Sequence, residues 1–119
     1  MSEKPYRGFN EDASKYHIGE PEFEVTHPNG KQLVDWKNRM RDLIESKDSF
    51  MVSQDKSEQL SKEILASTLK DFDYDKMLES CHPKELEGAA GEIYGFLYAF
   101  GTLRERELLM KQYSAIQKP

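Results

Sequence analysis

A single cysteine, Cys81, occurs in the 119 residues, so no intrachain disulfide can staple the fold. That usage is compatible with a reducing compartment. Positive charge is also in short supply: 17 Lys and Arg stand against 22 Asp and Glu, for a formal net charge of -5. A nucleic-acid binder normally carries a basic surplus that displaces counterions from phosphates. The charge balance therefore speaks against nucleic acid as a partner and suits a protein that meets other proteins. No apolar run approaches the roughly 20 residues that a helix needs to cross a bilayer. The opening Met1-Ser2-Glu3-Lys4-Pro5 lacks the apolar core of a signal peptide. The expectation is a cytoplasmic protein without a membrane partner. Apolar residues make up 37% of the chain and thin out before Leu33, which leaves a modest core for a single domain.

What the chain does have is a nearly uncharged stretch in a sequence that is 33% charged. From Gly88 to Gly101 the single charge is Glu92. Read at about 100° per residue, this stretch sorts into two opposed sides. Leu86, Ala90, Ile93, Leu97 and Phe100 form a bulky apolar stripe. Gly88, Gly91, Gly95 and Ala99 form a nearly smooth ridge on the other side. A helix that is apolar on most sides is normally buried on most sides. The segment from Pro83 to Gly101 is thus expected at the centre of the fold or of an assembly. Pro83 suits a first helical turn, where its missing N–H has no partner to lose. Gly101 suits a left-handed stop.

The other elements follow from period and punctuation. Residues 1–20 sustain no period and read as a flexible or extended N-terminal arm, carrying Tyr6, Phe9 and Tyr16 as its aromatics. Residues 21–119 then form one helical domain. Glu22-Phe23-Glu24-Val25-Thr26 alternates as a half-buried strand does, and His27-Pro28-Asn29-Gly30 ends it in a turn. A first helix is expected over about 32–46, with Leu33, Trp36, Met40, Leu43 and Ile44 on one side. A polar connection follows over 46–56, in which Phe50-Met51-Val52 forms a plug or a brief strand. A second helix over about 56–71, capped by Asp55 or Ser57, carries the stripe Leu60, Ile64, Leu65, Thr68 and Leu69. A short third helix holds residues 76–80, and His82-Pro83 closes it. Thr102-Leu103-Arg104-Glu105 reads as a capping box for a charged last helix over about 103–116. The fold class is mainly α: a small bundle of about four to five helices with a short N-terminal strand or hairpin and the arm.

No constellation for chemistry stands out. Cys81-His82 precedes a helix start, where a thiolate could be stabilised, yet zinc needs about four ligands at defined spacing and no second cysteine exists. A buried thiol at a helix junction is the expectation. Asp71, Asp73 and Asp75 resemble the start of a calcium loop, but Lys76 occupies the position that requires Gly; a turn between helices is expected. The basic residues of the first helix interleave with acidic ones, the pattern of a solvated face with local ion pairs. Neither a Gly-rich phosphate loop nor a nucleophile elbow is present. The expectation is therefore a protein with no catalytic residues, no metal and no cofactor.

The glycine ridge is where a binding role competes. Each glycine in a helix interior costs about 1 kcal/mol against alanine, so three in one helix need an offsetting contact. Packing against the first or second helix of the same chain is the first expectation. A partner's helix or a second copy of the chain is the alternative.

The order of parts from Phe23 to Phe100 resembles the small phage tail assembly chaperones. The matching pieces are Phe23-Glu24-Val25-Thr26 with Gln32-Leu33, Ile64-Leu65-Ala66-Ser67-Thr68-Leu69, Asp71-Phe72-Asp73, Pro83-Lys84-Glu85-Leu86 and Gly95-Phe96-Leu97. The resemblance implies binding to the helical tape measure protein of a phage tail in the host cytoplasm, and recruitment of tail tube subunits. An apolar groove would hold amphipathic helices, while the acidic exterior keeps the complex dispersed. The residues expected to contact a partner are Gly91, Gly95, Tyr94, Tyr98 and Phe100, followed by Trp36 and Met40. The competing reading is a small phage or bacterial inhibitor or adaptor that binds and regulates a host enzyme.

Overall fold

The computed structural model describes residues 6–99 and residue 111. Within them, three antiparallel strands precede four helices, and the fold is mainly α. The strands are β1 (Arg7–Phe9), β2 (Lys15–Ile18) and β3 (Glu22–Glu24), in that order across the sheet. Phe9 stands opposite Tyr16, and Tyr16 opposite Phe23, so one aromatic row crosses all three. The β1–β2 turn is held by Asp12, whose carboxylate accepts from the Ser14 amide at 3.1 Å and its hydroxyl at 2.6 Å. Those bonds hold the Asp12 carboxyl below its ordinary range.

Over residues 7–18 the expected arm is corrected by this sheet; residues 1–5 lie outside the described residues. Ala13, Tyr16 and Ile18 are buried, and Tyr16 and Ile18 belong to the same core as the helices. No boundary at residue 20 separates an arm from a domain in the described residues. Strands of three and four residues are too short to display a sustained period, and the Asn10–Ser14 turn has the polar composition of a loose segment.

Beyond β3 the chain is sewn to the helices by its backbone. Val25 bridges Leu69, the Thr26 amide donates to the Thr68 carbonyl at 2.7 Å, and the Lys70 amide donates to Glu24 at 3.0 Å. The expected strand over 22–26 is thus a sheet edge for three residues and a clasp on the end of a helix thereafter.

Helix α1 (Gly30–Glu45) starts at Asn29, whose side-chain oxygen accepts from the Gln32 amide. Helix α2 (Phe50–Thr68) begins a full turn and a half before the expected position, because Ser49 caps it; Asp55 and Ser57 are interior. Phe50-Met51-Val52 is accordingly neither plug nor strand but the exposed first turn of α2. A short α3 (Tyr74–Met77) is capped by Asp73, and Asp71 takes a left-handed φ of 59° at the turn before it. Helix α4 (Pro83–Ala99) starts after His82, whose Nδ1 accepts from the Lys84 amide at 3.0 Å.

The core lies where α2 meets α4 and α1 covers α2. Leu60, Ile64, Leu65, Thr68 and Leu69 are all buried, as the period indicates. So are Leu86, Ala90, Ile93 and Leu97 on α4, joined by Ala89. On α1 the inward stripe holds for Trp36, Leu33, Met40 and Leu43, whereas Ile44 is 85% exposed. Of the expected last helix over 103–116 only Lys111 is among the described residues, and it is helical; the capping box and Gly101 lie outside them.

Candidate functional site

Helix α4 has three occupied flanks and one open one. The bulky stripe packs on α2. The flank bearing Glu85, Gly88, Glu92 and Phe96 faces the sheet: Phe96 and Phe9 have ring centroids 4.6 Å apart, and Arg7 pairs with Glu85 at 2.9 Å and Glu92 at 3.9 Å. Tyr98 reaches α1, where Lys37 Nζ donates to its hydroxyl at 3.2 Å and sits 5.6 Å from the ring centroid. The open flank carries Gly91 and Gly95.

The ridge is therefore divided. At Gly88 an added Cβ would stand 2.6 Å from an Arg7 guanidinium nitrogen. Close approach there is intramolecular, though the neighbour is a strand side chain rather than a helix. At Gly91 and Gly95 no described residue lies within 4 Å of an added Cβ, and both residues are exposed. The expectation that the first or second helix covers the ridge is overturned at these two positions. Geometry explains it: α2 takes the opposite face of α4, and the sheet takes the flank beside it.

Tyr94 and Tyr98 border the open flank, one helical turn apart, with ring centroids 5.6 Å apart. Burial pushes the Tyr94 phenol up, and Tyr98 adds to the shift. Gly91, Gly95, Tyr94 and Tyr98 thus share one accessible side of one helix. Met40 is half-buried against the core. Trp36 does not belong with them. It is fully buried, with its indole nitrogen 3.4 Å from Glu63, and cannot touch a partner without unfolding α1 from α2. Phe100 lies outside the described residues.

A second surface has no clear sequence signal. An open groove of about 320 Å³ runs between α1 and α2, lined by Leu43 and Leu60 and bordered by Arg39, Asp42, Asp55 and Lys56. The two helices are joined by Trp36 and Arg39 of α1 reaching Glu63 of α2, and are linked at the far end by Ser46–Ser49.

Cys81 and His82 are structurally engaged. Cys81 is buried, with its thiol 3.2 Å from the Tyr6 hydroxyl, as a junction thiol should be. His82 caps α4. Among the described residues no group of three His, Cys, Asp or Glu side chains converges in a way that could hold a metal. Among them, too, no helix is long and apolar enough to cross a membrane. No protein-family model, curated protein or solved structure matches the chain.

Proposed function

We propose that this chain is a non-catalytic protein-binding factor that receives a partner helix on the open flank of α4. The observation that carries the reading is the pair Gly91 and Gly95. Each destabilises an isolated helix by about 1 kcal/mol against alanine, and a Cβ added at either would meet no described residue within 4 Å. Smooth positions let a second helix approach closely, and interaxial distances fall toward the lower end of roughly 8–10 Å when the contact residues are small. Tyr94 and Tyr98 supply the large amphipathic anchors typical of interface centres.

The narrower reading is a phage tail assembly chaperone acting in the host cytoplasm, with tape measure helices as cargo and tail tube subunits as later partners. It rests on the order of motifs between Phe23 and Phe100. A small inhibitor or adaptor acting on a host enzyme is the competing reading, supported by the net charge of -5. Affinity purification from the native source separates the two by the partner recovered: a very long helical protein or a folded enzyme.

The test of the site itself uses Gly91→Leu combined with Gly95→Leu. Neither side chain would meet a described residue at its Cβ, so folding should be retained. The variant should keep the wild-type melting profile and lose the partner. A variant that captures the partner as well as the wild type removes the α4 flank from the account.

A further inference from the structure

Counted with the side chains that hold them, the border charges of the α1–α2 groove are acidic. Both cations on the border are already engaged: Arg39 by Glu63 at 2.6 Å and Asp35 at 3.5 Å, and Lys56 by Asp48 at 2.6 Å. Asp42 and Asp55, also on the border, are exposed and make no ion pair with any described residue. Five carboxylates thus stand against two cations. Between the two borders the groove is apolar, floored by Leu43 and Leu60. Apolar surface continues toward the tip of the helix pair. Met51 and Val52 precede Asp55 and Lys56 by one helical turn and so share their side of α2; they are 68% and 43% exposed. The groove is open along its length, and its volume of about 320 Å³ lies at the lower end of small-molecule pockets. It suits side chains that project from a larger partner better than an engulfed small molecule.

We propose that this groove receives a basic amphipathic helix of a partner protein. The apolar stripe of that helix lies along Leu43, Leu60 and Val52, and the Lys or Arg residues flanking the stripe pair with Asp42 and Asp55. The sign of the partner follows from what the chain leaves unpaired. A second copy is disfavoured for the same reason: in a two-fold contact one patch meets itself, and the two uncompensated carboxylates of each copy would face those of the other across chains already at -5. The form of the partner follows from the walls. Two helices offer no free backbone edge to which a strand could add, whereas anchors at i, i+3, i+4 and i+7 fit a groove of this kind. None of the groove residues lies on α4, so this is a second binding surface, and it does not depend on the role of the Gly91–Gly95 flank.

The test is the fluorescence anisotropy of a labelled model peptide titrated with the full chain at physiological salt. The probe is a helix of about four turns with leucines at i, i+3, i+4 and i+7 and lysines flanking them. One control peptide carries glutamate in place of lysine; another keeps the composition and scrambles the leucine spacing. The lysine peptide should bind, and each control should bind at least about tenfold more weakly. D42N/D55N should weaken the lysine peptide about fivefold, the loss of two exposed charge pairs. E11Q/E20Q changes net charge equally in the turns of the sheet and should leave the affinity within about twofold. M51S/V52S should weaken binding, and G91L/G95L should not. All of these positions are exposed, so every variant should melt close to the wild type. A lysine peptide that does not bind overturns the proposal, as does a control peptide that binds equally. A D42N/D55N loss no larger than that of E11Q/E20Q reduces the attraction to net charge and overturns it. Loss of binding in G91L/G95L puts the peptide on α4 and overturns it too. A free chain that sediments at twice 13.9 kDa, and singly as M51S/V52S, gives the groove to a second copy instead.

Discussion

The Arg7 guanidinium lies where a side chain at residue 88 would begin: a Cβ on Gly88 would stand 2.6 Å from one of its nitrogens and 2.9 Å from its central carbon. Glu85 and Glu92, three residues before and four after that glycine, hold the cation on the same helix flank. Arg7 is thereby the side chain of β1 that pairs with α4, and Gly88 is the notch that admits it.

That relationship gives a double-mutant prediction. In the wild type, Gly88→Ala gains about 1 kcal/mol of helix propensity but displaces a partly exposed ion pair worth about 0–1 kcal/mol. The net change should be small. In an Arg7→Ala background the displacement no longer occurs, and Gly88→Ala should show its full gain. Chemical denaturation of the four proteins measures the coupling. Equal effects of Gly88→Ala in both backgrounds would show that the notch has no energetic consequence.

The open glycines make the opposite prediction from the occupied one. Gly91→Ala and Gly95→Ala meet no described residue, so each should stabilise the free chain by up to about 1 kcal/mol. Thermal unfolding should shift upward by roughly 4 °C per substitution. Destabilisation by either would mean that something in the free chain already rests on this flank.

Tyr16 is the centre of the sheet's packing on the helices, 4.9 Å from Phe9 between ring centroids and fully buried. Tyr16→Ala should cost about 3 kcal/mol or more. Tyr16→Phe should be neutral or stabilising, because the phenolic oxygen is buried without a hydrogen-bond partner. The same burial, followed by the nearby Glu92 charge, pushes its pKa far above the ordinary 10.0, and burial raises Tyr74 as well. A group whose folded pKa is raised contributes fully below its unfolded pKa and loses that contribution as pH rises toward the folded value. Stability should therefore fall above about pH 10, and Tyr16→Phe should flatten that decline. An alkaline profile that is the same in both proteins would contradict the assignment.

The start of α2 yields a simple comparison. Ser49 accepts from the Val52 amide, so Ser49→Ala should cost about 1 kcal/mol. Ser57→Ala, inside the helix, should cost nothing or improve stability through propensity. Urea midpoints decide between them. The reverse ranking would return the helix start to the position suggested by apolar spacing.

Much of the helical body was legible because its evidence is local and repeated. The stripe Leu60–Ile64–Leu65–Thr68–Leu69 spans nearly three turns. On α4 the described part of the stripe, Leu86–Ala90–Ile93–Leu97, is longer still, and both are buried where spacing puts them. Boundaries were less legible. Phe50-Met51-Val52 is apolar yet solvent-facing, so it obscured a helix that begins at a serine rather than at the first periodic leucine. Trp36 shows a related limit: its size marks it as an anchor, but only packing distinguishes an anchor in the core from one at an interface.

The composition and period of the chain by themselves determine a mainly helical, acidic protein with a single cysteine and with α4 and α2 apolar on one side, since each follows from composition or from residues a few positions apart. Tertiary structure alone decided that residues 7–18 enter the core, that Gly88 is occupied, and that Gly91 and Gly95 are not. Those outcomes depend on which flank of a helix a distant strand reaches first, and pairs such as Arg7 and Gly88 are 81 positions apart in the chain. Local periodicity carries no information over that separation.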